Sequence, residues 1–148
     1  MNTQYHYLDS SAVLSWLLEG RAVLERLEGE PKVASLRLLW VEVSRALYRA
    51  LQTNRLSPSA ATHARHTFER LAAGIGRIHM SEAVYRRAEG PYPLVVRPVD
   101  ALHLAAAEVW LSETEHATEP PAMAVWTLDE RMNHCAAQLG FRTPLLDL

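Results

Sequence analysis

Tyr5-His6-Tyr7-Leu8-Asp9-Ser10-Ser11-Ala12-Val13-Leu14 changes its period partway along. The first four residues read as a short strand. Asp9 and Ser10 interrupt it, and Ser10 suits the cap of a helix carrying Val13, Leu14, Leu17 and Leu18 at helical spacing. The same switch recurs downstream. Residues 31–35 read as a second strand. The helix after it, from Leu38 to about Asn54, places Leu39, Val43, Ala46, Leu47, Ala50 and Leu51 on one stripe. Ser57-Pro58 starts another helix, serine as N-cap and proline at the first position, and Gly74 stops it. Residues 75–80 read as a third strand. Ser81-Glu82 opens a short helix that Pro91 and Pro93 close. An alanine-rich helix over 99–111, a fourth strand over 122–127, a helix over 129–139 and a last strand over 142–146 complete the series. A short helix over 22–27 and an acidic loop over 112–121 fill the gaps. Strands alternating with helices predict an α/β fold, with a parallel sheet covered by helices on both faces.

Bulk properties fit that outline. The chain of 148 residues, 49% hydrophobic and 22% charged, reads as a single domain over 1–148 with a substantial core. No apolar run reaches the length of a membrane span, and the polar, aromatic start does not read as a secretory signal. Cys135 is the only cysteine, so no internal disulfide framework forms. The expectation is a cytoplasmic protein with no membrane partner. A net charge of -2 speaks against holding nucleic acid by overall electrostatics. No Gly-rich phosphate loop, serine-hydrolase elbow or zinc-protease helix motif is present.

In open α/β sheets, ligands bind at the carboxyl ends of the strands. Asp9 closes the first strand, and Asp129 follows the fourth in Trp126-Thr127-Leu128-Asp129. Asp100 opens the alanine-rich helix, and Glu42 sits among apolar neighbours in Trp40-Val41-Glu42-Val43. Taken singly, each aspartate reads as a helix cap, and Glu42 could pair with Arg45 on its own helix. Taken together, four carboxylates at these places in the α/β order read as one site. At about 4 Å, each pair repels by roughly 4 kcal/mol at an effective dielectric of about 20. Such a group either protonates in part or holds a cation. Oxygen donors without a Cys or His cluster suit a hard cation, Mg²⁺ or Mn²⁺. His103, three residues after Asp100, shares its helix face and reads as packing between helix and sheet.

Four segments carry a resemblance. They are Tyr7-Leu8-Asp9-Ser10-Ser11-Ala12, Leu39-Trp40-Val41-Glu42-Val43, Asp100-Ala101-Leu102-His103-Leu104-Ala105-Ala106-Ala107, and Thr127-Leu128-Asp129-Glu130-Arg131 continuing to Phe141. In this order they resemble the PIN domain, and within it the VapC-type toxins of toxin–antitoxin modules. The resemblance implies a three-layer α/β/α sandwich with a central, mainly parallel sheet. It implies an endoribonuclease dependent on Mg²⁺ or Mn²⁺, silenced by a cognate antitoxin and assembled as a homodimer. Asp9, Glu42, Asp100 and Asp129 would form its acidic pocket. Asp9 and Asp100 would be the most direct metal ligands, Glu42 and Asp129 would complete the shell directly or through water, and Ser11 and Thr127 would be the hydroxyls that orient the carboxylates. The pocket's excess negative charge leads to the expectation that an arginine of the partner reaches it. The 112–121 loop is longer and more acidic than that family leads one to expect.

Two other functions compete. A metal-dependent phosphatase with Asp9 as nucleophile is one, although the second aspartate of haloacid-dehalogenase-like enzymes is replaced here by Ser11. A non-catalytic module that keeps the fold and a partner groove is the other.

Overall fold

The computed structural model describes residues 5–24, 27, 32–114 and 123–146. Among them the order is β1 (Tyr5–Leu8), α1 (Ser10–Glu19), β2 (Val33–Leu36), α2 (Leu38–Gln52), α3 (Pro58–Ala72), β3 (Gly76–Ile78), α4 (Glu82–Ala88), α5 (Pro98–Thr114), β4 (Met123–Trp126) and α6 (Glu130–Gln138). The four strands form one sheet in the order β3-β2-β1-β4, and every pairing is parallel.

Alternation along the strands divides the core into two clusters. From β1 and β4, Leu8, Ala124 and Trp126 belong to the cluster that includes Val13 of α1, Leu39, Val43 and Leu47 of α2, and Phe68 of α3. Tyr7, Met123 and Val125 belong to the other, with Val84 of α4, Leu104 to Ala107 of α5, and Met132 of α6. Successive strand residues thus pack against opposite helical layers, as a pleat of period two requires. The result is an α/β domain with a parallel sheet between two sets of helices.

Local signals set most boundaries. Ser57 accepts from Ala60 N and Ser81 from Val84 N, each as N-cap of its helix. Gly20 ends α1 at φ 66°, a left-handed conformation that glycine adopts without penalty. Three expectations need correction. The α-helix expected over 22–27 does not form at 22–24, where Val23 and Leu24 make a turn; Leu27 closes a 3₁₀ turn through Leu24 O at 3.0 Å, and 25 and 26 lie outside the described residues. The last strand expected over 142–146 reduces to one parallel bridge, Ala124 to Arg142. Residues 112–114, expected to be loop, belong to α5, and residues 115–122 lie outside the described residues.

Candidate acidic site at the carboxyl end of the sheet

The strand order fixes where a site can form. From β1 the chain moves to β2 and β3 on one side, then crosses to β4 on the other side of β1. The carboxyl ends of β1 and β4 therefore flank the point where the winding reverses, and helices leave it in opposite directions, opening a crevice. Asp9 follows β1 there, and Thr127, Leu128 and Asp129 follow β4.

Asp9 is 4% exposed and, in place of the expected Ser10, which is already the first helical residue, caps α1 through Ser11 N, 3.3 Å from Oδ2. That same oxygen accepts from Ser11 Oγ at 2.6 Å and from Thr127 Oγ1 at 2.8 Å. The direction of both bonds is determined. Leu128 N donates to Ser11 Oγ at 2.9 Å, and Asp129 N donates to Thr127 Oγ1 at 3.1 Å, which leaves each hydroxyl hydrogen to point at the carboxylate. Oδ2 thus has three donors. Oδ1 faces the other way, 3.8 Å from His103 Nε2. Ser11 and Thr127, the two hydroxyls named from the sequence, thus both meet Asp9.

Glu42 arrives from α2, in the opposite helical layer to His103 of α5. Its Oε2 accepts from Ser10 Oγ at 3.0 Å and its Oε1 lies 2.6 Å from His103 Nε2. It does not pair with Arg45. His103 is fully buried, and its Nδ1 lies 2.6 Å from Tyr7 Oη, itself an acceptor from Leu36 N at 3.1 Å. A chain of hydrogen bonds therefore runs from the backbone of β2 to the Glu42 carboxylate. Burial lowers the His103 pKa, but the Glu42 hydrogen bond and the charges of Asp9, Glu42 and Asp100 outweigh it and hold the imidazolium above its ordinary value.

Asp100 lies in the first turn of α5, and Asp129 caps α6 through Met132 N at 2.8 Å. Arg97 joins them: Nε is 3.4 Å from Asp100 Oδ2, and Nη2 is 3.1 Å from Asp129 Oδ2. Burial, then the charges of Asp129 and Asp9, raise the Asp100 pKa despite Arg97. An arginine thus does reach the acidic pocket, and it is the chain's own. A cavity of about 350 Å³ opens over Arg97, Asp100, Asp129, Glu130 and Arg131.

The four predicted carboxylates therefore share one end of the sheet as two bridged pairs, Asp9 and Glu42 around His103, Asp100 and Asp129 around Arg97. Asp9 and Asp129 are caps as well as members of the group, so the two readings of each are compatible. Among the described residues no three His, Cys, Asp or Glu side chains come close enough together to hold a metal ion as they stand. The donor chemistry, all carboxylate oxygen, fits a hard cation, and mutual repulsion is felt at Asp100. The present side-chain positions instead place an imidazole and a guanidinium among the charges.

From the sequence, Tyr7 has only a place in a strand, Ser10 only a capping role and His103 only a packing role, and Arg97 is not singled out. Arg97 precedes Asp100 by one helical turn, a spacing that pairs charges. A tyrosine in a buried strand needs a partner for its hydroxyl, which was the available signal for Tyr7. The reach of His103 to Glu42, across 61 positions, had no local signal. No protein-family model matches this chain, and no curated protein matches it.

Proposed function

We propose that this chain is a metal-dependent endoribonuclease of the PIN-domain kind, acting as the toxin of a toxin–antitoxin pair. One observation carries the reading: Asp9, buried at the winding reversal, has one oxygen fixed by three donors and the other facing His103, whose ring also meets Glu42. A cap alone needs one hydrogen bond from a helix N–H. Two further hydroxyls, each held by a backbone N–H, fix the carboxylate so that its remaining oxygen faces His103.

In this reading Asp9 and Asp100 hold a Mg²⁺ or Mn²⁺ ion, and Asp129 and Glu42 complete its surroundings. The chemistry such an ion supplies is activation of water and balancing of charge on a phosphodiester. The chain's own residues do the rest. Ser11 and Thr127 keep Asp9 in one rotamer. Ser10 and His103 hold Glu42 from opposite layers. Arg97, whose side chain is 78% exposed, forms ion pairs of the kind worth about 1 kcal/mol or less, so cation or substrate displaces it at small cost. Once free, its guanidinium is a ready phosphate ligand beside Arg131. An RNA substrate, a cognate antitoxin and a homodimer belong to this proposal.

A second reading, a non-catalytic module, is favoured by the compensation already present, since Arg97 and His103 bridge all four carboxylates. The deciding experiment is cleavage of a mixed structured RNA pool with Mg²⁺, Mn²⁺ or EDTA, using wild type, Asp9→Asn and Asp100→Asn, after any co-purified antitoxin is removed. Metal-dependent cleavage lost in both variants supports the nuclease. Folded proteins that cleave under no metal condition support the module.

A further inference from the structure

A second cavity, larger than the one over Asp100, lies elsewhere on the domain. It is a groove of about 780 Å³ between α1, α2 and the Leu128 segment. Ser11 and Leu128 line it, and Ser11 Oγ, which accepts from Leu128 N, donates to Asp9, so the groove lies against the Asp9 network. Its floor is apolar, from Leu14 and Leu18 of α1 and Ala50 of α2. Its charge is unlike that of the chain as a whole.

Three arginines line it: Arg21 just after α1, Arg49 in the last turn of α2, and Arg55 just after α2. All three are exposed. None pairs with a described carboxylate, although Glu19 lies in the same groove. A basic residue near a helix C-terminus is favoured by the helix dipole, which accounts for Arg49. It does not account for three guanidinium groups facing one groove in a chain of net charge -2.

We propose that this groove holds the phosphate backbone of a single-stranded RNA segment flanking the scissile bond, with Arg21, Arg49 and Arg55 as its phosphate ligands. The proposal rests on the nuclease reading for the identity of the strand. It adds that the substrate is a polynucleotide gripped well away from the reacting bond. Guanidinium groups bind phosphate oxygens in a bidentate manner, and an apolar floor accepts sugars and base edges without demanding sequence. The local positive charge gives the strand an entry that the carboxylates themselves would repel.

The test uses a fluorescein-labelled single-stranded RNA of about ten nucleotides, in EDTA so that nothing is cleaved, with fluorescence anisotropy across a salt series. Arg49→Gln and Arg55→Gln are each expected to weaken binding by about tenfold and to lower the slope of log affinity against log salt by about 0.7. Arg70→Gln, on the exposed face of α3, serves as the charge control and should change neither. Cleavage in Mg²⁺ supplies the independent arm. If wild type cleaves RNA and the groove variants match it in affinity, slope and KM, the groove proposal falls and the nuclease stands. If no metal supports cleavage yet the groove variants lose binding, the nuclease falls and the groove stands. Equal weakening by Arg70→Gln would reduce the effect to overall charge and overturn the proposal. So would a polyglutamate peptide whose binding alone depends on Arg49 and Arg55, since the groove would then belong to an acidic protein partner.

Discussion

Replacing Tyr7 by phenylalanine removes one oxygen atom from the centre of the molecule. The ring stays, so its packing among Leu36, Val125 and Leu104 is retained. What is lost is the partner of two groups at once: Leu36 N, 3.1 Å from the hydroxyl, and His103 Nδ1, 2.6 Å from it. Both Tyr7 and His103 are fully buried, so water does not replace the missing oxygen. Each orphaned partner costs about 1–3 kcal/mol, and relief from burying the hydroxyl itself returns part of that. The net loss should be about 2–3 kcal/mol, a large fraction of a domain's total of roughly 5–15 kcal/mol. For a chain of this size that is a fall of about 5–10 °C in Tm. Urea denaturation followed by tryptophan fluorescence reads it, and a cycle with His103→Leu isolates the pair, with a coupling of about 1–3 kcal/mol expected. Under the nuclease reading, Tyr7→Phe also loosens His103 and so lowers kcat more than it raises KM. A stability change below about 0.5 kcal/mol, the ordinary range of a surface substitution, would refute the reasoning that this hydroxyl anchors the histidine.

Three further outcomes are expected. The raised pKa values of Asp100 and His103 favour their protonated forms in the fold, so both contribute stability at low pH that is lost as pH rises through the folded values. Chemical stability should therefore decline as pH rises above 6.5, and His103→Gln should flatten that decline; a rise over the same range would contradict it. Ser15 is 3% exposed in the middle of α1, and its hydroxyl has no partner. Ser15→Ala should stabilise by about 1 kcal/mol, from helix propensity and the removed polar group, and a destabilised variant by calorimetry would reveal a hidden role for that oxygen. Burial raises the Cys135 thiol pKa and keeps it from solvent. Its reaction with a disulfide reagent should wait on unfolding and accelerate with urea, whereas native protein reacting at the rate of a free thiol would disprove this.

The alternation of strand and helix was legible because each element buries one side in one of two clusters, and burial sets the period. Ser57-Pro58 and Ser81-Glu82 announced their helices through local capping chemistry. The alanine run of α5 gave a weaker edge: with apolar residues on every face, nothing in the pattern marked its end at Thr114. The segment 22–27 failed for a related reason. Val23, Leu24 and Leu27 carry helical spacing, yet what they satisfy is burial against the first cluster. The positions of Asp9, Glu42, Asp100 and Asp129 at one end of the sheet followed from strand order and from where helices begin. Their partition into two pairs did not follow, because it depends on where α2 and α5 meet across the sheet edge. No spacing within either helix encodes that meeting.

α5 carries both Asp100 and His103, and its stretch from Leu104 to Ala107 has no exposed surface. Methyl-sized side chains let the helix lie close against β2, α4 and α6. In hydrogen-exchange terms, the amides of that stretch belong to the slowest class, those that open only when the whole domain opens. Asp100 and His103 are therefore expected to keep their place until the domain as a whole opens. Heating should bring loss of site geometry and loss of fold together in one transition, with no earlier softening of the site alone.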